Sequence, residues 1–419
     1  MNQFQAGAGC GTIAFPAEMF PLEGFRGIHD DPRVRVLDLK DGDTGAVLVA
    51  IEIVMLPDSM IGELQQLVGS ICGVAPEQVF VHVTHAITTP HNPMMMPPFA
   101  RPEGVERIGG LHREAVLTAT RQAAEQAAAS LQPVTVGCAS GQCAVNCNRD
   151  EETPSGWWIG RGGSQPANRD MTVLRFSGAE GQPVAFCISY ALKTCAVDNA
   201  GMAENLRLVS SDVAGKACQV MEAQYGVPAL FLMSAAANHV PRETALWDEV
   251  QPDGTVQTVD KGVEYGLALV DALGTEMGSD AVAIAAQAGT GDCPAGLKTA
   301  DASFPWQSMS RIEKAPALQM DYPLEEGTRQ VDVSALTFGD YAFVFGKAEM
   351  NQPTQQAIQS ASPYPHTFLV TMVNGGFKYI PDAAAYDSFT WEAQSSFVAR
   401  GAAERFAEQA AALLTELHG

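Results

Sequence analysis

The feature that most constrains this chain is its alternation of short apolar runs with helical stretches. "GAVLVAIEIVML" (45–56) reads as a buried strand, and "SMIGELQQLVGSI" (59–71) carries apolar residues at helical spacing. "VFVHV" (79–83) is strand again, so the three make a strand–helix–strand unit. "REAVLTATRQAAEQAAASL" (113–131) is rich in strong helix formers. Strands are expected at 134–140, 172–177, 183–191, 229–237, 281–289, 330–339, 341–349 and 367–373. A helix is expected over 211–226, closed by Gly226, and another over 401–417. "FGD" (338–340) reads as the turn of an antiparallel hairpin. The pattern predicts an α/β protein with mixed β-sheets flanked by helices, in one domain over 1–419. The stretches 92–108 and 290–328 are expected to be weakly structured loops near the site.

Charge and cysteine usage narrow the classes of partner. The formal charge is −23, which repels nucleic acid and anionic membrane surfaces. No apolar stretch reaches the length of a membrane span, and the first residues lack the basic and apolar regions of a secretion signal. Nine scattered cysteines, without paired CxxC spacing, read as free and mostly buried thiols in a reducing compartment. A cytoplasmic protein acting on a small soluble molecule is expected.

The polar residues at strand ends carry the functional signal. Apolar runs finish at His85, at Lys193, at Asn238 and His239, at Glu349, and at Asn374. In α/β sheets ligands bind beyond the carboxyl ends of strands, so these ends predict one shared pocket. Three of the eight histidines fall between 82 and 91. Side chains alternate across a strand, so His82 and His85 face opposite ways and cannot share an ion. His82 is read as a hydrogen-bonded structural residue, His85 as a pocket residue, and His91 as a loop residue able to fold back. Trp157 and Trp158, in "SGWWIGRGG", are candidates to cover a substrate or make a surface or dimer contact. "MMMPPF" (94–99) is either an apolar lid or an oligomer contact, and Asp292 is a turn aspartate or a ligand. Arg149, beside Asn148, is read as an anion- or oxyanion-binding group or as a plain ion pair.

Several segments together resemble the neutral (alkaline, non-lysosomal) ceramidases and their N-terminal catalytic domain. They are "AGAGCGTIAFP…PLEGFRGIHDDPRVRVLDL", "FVHVTHAITTPH", "VNCNRDEETPSGWWIG…SQPANRDMTVLRF", "AFCISYALKTCAV…LVSSDVAGKA", "AANHVPR", "FGKAEMNQPTQQ" and "VNGGFKYIPDAAAYDSFTWEAQSS". Their order follows that of the family over nearly the whole chain, without its C-terminal β-sandwich. The resemblance implies a catalytic zinc held by two histidines, a glutamate and a tyrosine. Carried over, these are His85, Glu349 and Tyr379, while the second histidine falls on Lys193. The second histidine of the family's Thr-His-Thr-His motif is Ile87 here, and its Gly-Asp pair is Ala237–Asn238, followed by His239.

Two chemistries follow from these residues. In one, His85, Glu349 and Tyr379 hold zinc, with His91 or His239 supplying the missing nitrogen. The metal hydroxide then attacks an amide carbonyl, and Arg149 or a histidine stabilises the oxyanion. In the other no metal is used, and Lys193 acts as a base or Schiff-base nucleophile of a lyase, isomerase or epimerase. A third outcome is a binding-only homologue in which a Lys193–Glu349 ion pair replaces the lost metal. Asn148, Trp157, Trp158, Asn238 and Asn374 are the expected substrate contacts.

Overall fold

The computed structural model describes residues 3–310 and 312–419. Three sheets of four or five strands organise it. The first runs Val79–Val83, Thr44–Ile51, Arg33–Asp41, Gln5–Thr12 and Gln132–Pro133 in spatial order. The second runs Ala229–Met233, Pro183–Tyr190, Asp170–Ser177 and Thr135–Gln142, and the third Lys298–Met309, Leu324–Phe338, Tyr341–Gly346 and His366–Val370. Each is mixed. Val79–Val83 is parallel to Thr44–Ile51, Ala229–Met233 to Pro183–Tyr190, and His366–Val370 to Tyr341–Gly346.

Strand alternation explains how the three sheets share a core. One face of each contributes to a common apolar layer: Leu48 and Phe80, then Leu174 and Leu230, then Phe343 and Phe368. The opposite faces of the first two sheets, with Val47, Val81, Ile188 and Phe231, pack on four helices. These are Asp58–Cys72, Val105–Ala129, Asp212–Tyr225 and Val263–Ala285. The outer face of the third sheet, with Ala335 and Val344, packs on Ala402–His418 and Gln352–Ala361.

The strand "QAGAGCGT" shows why its glycines are needed. A Cβ on Gly7, Gly9 or Gly11 would lie 2.1, 2.0 or 2.0 Å from the carbonyl oxygens of Ala127, Ala123 and Ala119. Those alanines recur every fourth residue on one helical face, so strand and helix touch backbone to backbone.

Two sequence expectations are corrected. "AVAIAAQAG" is not a strand, because 281–285 ends the helix Val263–Ala285. Leu267, Val270, Leu273, Met277, Ala281 and Ile284 line its buried side at spacings of three and four, a pattern the short window concealed. The stretch 290–328 is not loop throughout, since Lys298–Met309 is a strand paired with Leu324–Phe338. The hairpin at 338–340 is present, with Phe338 opposite Tyr341. Among the described residues no helix is long and apolar enough to cross a membrane.

Candidate active site

Three strands, one from each sheet, run out to side chains that meet. His85 follows Val79–Val83, Lys193 follows Pro183–Tyr190, and Glu349 follows Tyr341–Gly346. At each point the chain leaves the sheet. His85 takes a left-handed backbone (φ 58°), which turns its side chain out of the strand alternation. Lys193 is fixed through its backbone N–H, which donates to the His239 carbonyl at 2.9 Å. Glu349 pairs with Tyr379 in a parallel β-bridge, which sets these two side chains together.

The polar atoms form an unbroken row. His85 Nδ1 donates to the Val54 carbonyl at 2.7 Å, and its Nε2 lies 3.3 Å from Glu349 Oε1. Glu349 Oε2 lies 2.8 Å from Lys193 Nζ, which donates to Tyr379 Oη at 2.5 Å. Arg149 Nη2 donates to Tyr379 Oη at 3.4 Å, to the Ala237 carbonyl at 3.1 Å and to Glu392 Oε1 at 2.5 Å. Burial pushes the Glu349 carboxyl up, but the Lys193 ammonium and the His85 ring outweigh it and bring it down to about 2. Burial and the Arg149 charge push Lys193 down, yet Glu349 and Tyr379 hold it above the ordinary lysine range. Burial and the Glu349 charge keep Tyr379 a neutral phenol.

The row lies on a cavity of about 550 Å³. His85, Arg149, Lys193, Glu349 and Tyr379 line it, as do Glu23, His91, Asp198 and Arg207. Ile87, Val240, Leu246, Trp247, Met372 and Trp391 give it apolar walls.

The remaining expected residues are placed differently. His239 is not among the cavity residues, and both its ring nitrogens are engaged. Nε2 accepts from the Asn168 N–H at 2.9 Å, and Nδ1 contacts Asn238 Oδ1 at 2.9 Å. Burial, then Arg149, lowers its pKa to about 4, so it is a neutral structural residue rather than a catalytic one. Asn238 donates to Asp150 Oδ2, and Asn148 accepts from the Asp150 N–H, so both brace the segment that carries Arg149. Asn374 is also corrected. Left-handed Met372 and Asn374 turn the chain back along Val79–Val83, where Asn374 Oδ1 accepts from the Val81 N–H at 2.8 Å. Met372 lines the cavity in its place.

Trp157 pairs with Glu152 in a hairpin and does not line the cavity. Trp158 stands one layer behind it, donating to Asp248 Oδ2 at 3.1 Å and packing edge-on against Trp391. Residues 94–99 do not line the cavity either, and Asp292 bridges Val136 at the surface. His82 has the structural role read from its strand position, with Nδ1 on the Thr371 carbonyl and Nε2 accepting from the Met233 N–H. Sequence reasoning missed Glu23, Asp198, Arg207, Trp247, Trp391 and Glu392. Glu23 lies in the quoted segment "PLEGFRG" and Trp391 and Glu392 in "YDSFTWEAQSS", but none of them was singled out there.

No protein-family profile and no curated protein sequence matches this chain. Among the solved structures that match it in three dimensions are two ceramidases. A ceramidase complexed with C2 superposes with a TM-score of 0.76 at 16% identity, covering 100% of this chain and 76% of that one. The neutral ceramidase from Pseudomonas aeruginosa superposes with a TM-score of 0.74 at 16% identity, covering 99% of this chain and 75% of that one. The chain has the neutral ceramidase fold.

On this ceramidase fold, the implied zinc can be tested against the donors present. His85 Nε2, Glu349 and Tyr379 Oη converge, as the resemblance implies. The fourth position holds an ammonium that contacts the same two oxygen ligands, Glu349 Oε2 and Tyr379 Oη. An ammonium has no lone pair and repels a divalent cation. No group of three or more His, Cys, Asp or Glu side chains among the described residues is placed to hold a metal. The donor set does not fit a resident zinc.

Proposed function

We propose that this chain is a metal-independent hydrolase that cleaves an amide or related acyl bond of a small soluble substrate. The reading rests on one observation, the Lys193 ammonium seated between Glu349 and Tyr379 on the wall of the cavity. The hydrolase class is drawn from the fold shared with the ceramidases. The chemistry is drawn from the row itself. Tyr379 Oη accepts from both Lys193 and Arg149, so its own proton is free to be given to a third acceptor. Two cationic donors polarise that O–H and make it a stronger donor. A substrate carbonyl placed against it gains its developing negative charge next to a phenol, an ammonium and a guanidinium, which is oxyanion stabilisation without a metal.

Lys193 is not a free base in this arrangement, because its pairing favours the ammonium. This favours acyl hydrolysis over Schiff-base chemistry. The test uses chelator-dialysed protein on 4-nitrophenyl butyrate and on butyryl-4-nitroanilide, with zinc measured in the same sample. Turnover is expected at far less than one zinc per chain, unaffected by added zinc. Tyr379→Phe should lower kcat by about 10²–10³-fold, the usual cost of one oxyanion donor. A requirement for added zinc, or no turnover of either compound, overturns the reading.

A further inference from the structure

The row above can stabilise an oxyanion but holds no good base. Glu349 turns Oε1 to His85 and Oε2 to the Lys193 ammonium, and His85 spends Nδ1 on a carbonyl while its Nε2 faces Glu349. On another part of the same cavity stands a pair that answers this need. Glu23 Oε1 lies 3.0 Å from His91 Nδ1, and Glu23 Oε2 accepts from the His91 backbone N–H at 2.7 Å. One carboxylate thus grips both the ring and the backbone of one histidine. To bond a carboxylate, Nδ1 must carry the proton, which leaves Nε2 with its lone pair in the neutral ring. Among the described residues none hydrogen-bonds to Nε2, and His91 lines the cavity with a side chain 38% exposed.

Glu23 is itself held in place. It has a left-handed backbone (φ 50°), and Arg207 Nη1 donates to its carbonyl at 3.0 Å. The Arg207 guanidinium lies 3.9 Å over the Phe25 ring, and its Nη2 donates to the Ile87 carbonyl at 2.8 Å. Ile87 in turn donates its N–H to the carbonyl of Thr194, the residue after Lys193, at 3.1 Å. Hydrogen bonds through Arg207 and Ile87 therefore link the Glu23 backbone to the residue after Lys193.

We infer that His91, oriented by Glu23, is the general base that activates water in this cavity. The inference rests on the hydrolase reading. His91 Nε2 takes a proton from water as the water oxygen bonds to the acyl carbon. The carbonyl π pair moves onto oxygen, which is held by the Tyr379 O–H. The tetrahedral species then collapses, the bond from carbon to the leaving nitrogen breaks, and His91 returns its proton to that nitrogen. The products are a carboxylic acid and an amine. His91 is the catalytic residue and Glu23 a positioning residue. The other ionisable groups acting on the pair are Arg207 and the buried His112.

The test uses the full chain with the same ester and anilide. His91→Ala should lower kcat about 10²–10⁴-fold. The loss should be greater on the anilide, whose leaving group needs the returned proton. Added imidazole should restore part of the activity, with the thermal midpoint unchanged. Glu23→Gln should keep more activity and lower kcat with KM unchanged, because the contact orients the base and does not touch the substrate. Activity within about twofold of the parent in His91→Ala, while Tyr379→Phe loses its activity, overturns the dyad and leaves the hydrolase. A loss without imidazole rescue assigns His91 a structural role and also overturns it. No turnover by the parent on either compound overturns both readings.

Discussion

Lys193 is the residue on which the site turns. Its ammonium and the Glu349 carboxylate are almost completely buried, and each compensates the other. Removing one partner strands the other charge, at a cost of about 3–5 kcal/mol. Lys193→Met is therefore expected to lower unfolding free energy by about that amount, and Glu349→Gln similarly. The double variant should be less destabilised than the sum of the two, and urea titrations of all four proteins check this. The sign with pH follows from Glu349. Its folded pKa of about 2 lies below its usual 4.5, so its contribution is present above pH 4.5 and lost as pH falls toward 2. The difference corresponds to about 3 kcal/mol at neutral pH. Glu349→Gln should therefore narrow its stability gap from the parent between about pH 4.5 and 2, the window of that shift.

At the scale of elements, strand ends assemble the site and close packing fixes them. The first sheet reaches the helix Val105–Ala129 through Gly7, Gly9 and Gly11. Gly9→Ala would drive a methyl to 2.0 Å from the Ala123 carbonyl, so strand and helix must part. A loss in the upper part of the roughly 1–3 kcal/mol range for overpacking is expected, read as a lower thermal midpoint. Gly62→Ala, with no atom within 4 Å of its added methyl, is the control and should not lower it. The strand ends were legible because period-two runs stop abruptly: "VFVHV" is a strand at the bounds read from the sequence, and His85, Lys193 and Glu349 do meet. Asn374 stands at an equally plain strand end but is carried away by left-handed backbone at Met372 and Asn374, for which the side chains give no sign. The helix Val263–Ala285 was hidden because its closing "AVAIA" has the β-branched, apolar composition of a short strand.

Across the whole molecule, what the sequence concealed is contact between distant segments. Glu23 and His91 are 68 positions apart and Arg149 and Glu392 are 243 apart, and neither pairing leaves a local pattern to read. The cysteines were legible as a class, since scattered thiols without paired spacing have no framework to join. All nine are free. Cys72, Cys143, Cys147, Cys187, Cys195 and Cys218 are buried, and Cys293 alone is exposed. Burial pushes the thiols of Cys72, Cys143 and Cys187 up to about 12 and that of Cys147 to about 11. The thiolate is the reactive form, so at pH 8 burial denies these groups both contact with reagent and the charge that reaction needs. Titration of the native protein with a disulfide reagent at pH 8 should therefore show one fast thiol, assigned to Cys293 by its loss in Cys293→Ser. Half-buried Cys10 and Cys138 should follow slowly, and all nine should react in denaturant. Six further fast thiols in the native protein would mean that the layers between sheets and helices open on the time scale of the reaction. In that case the fixed distances on which the lysine row depends would not persist long enough to direct chemistry.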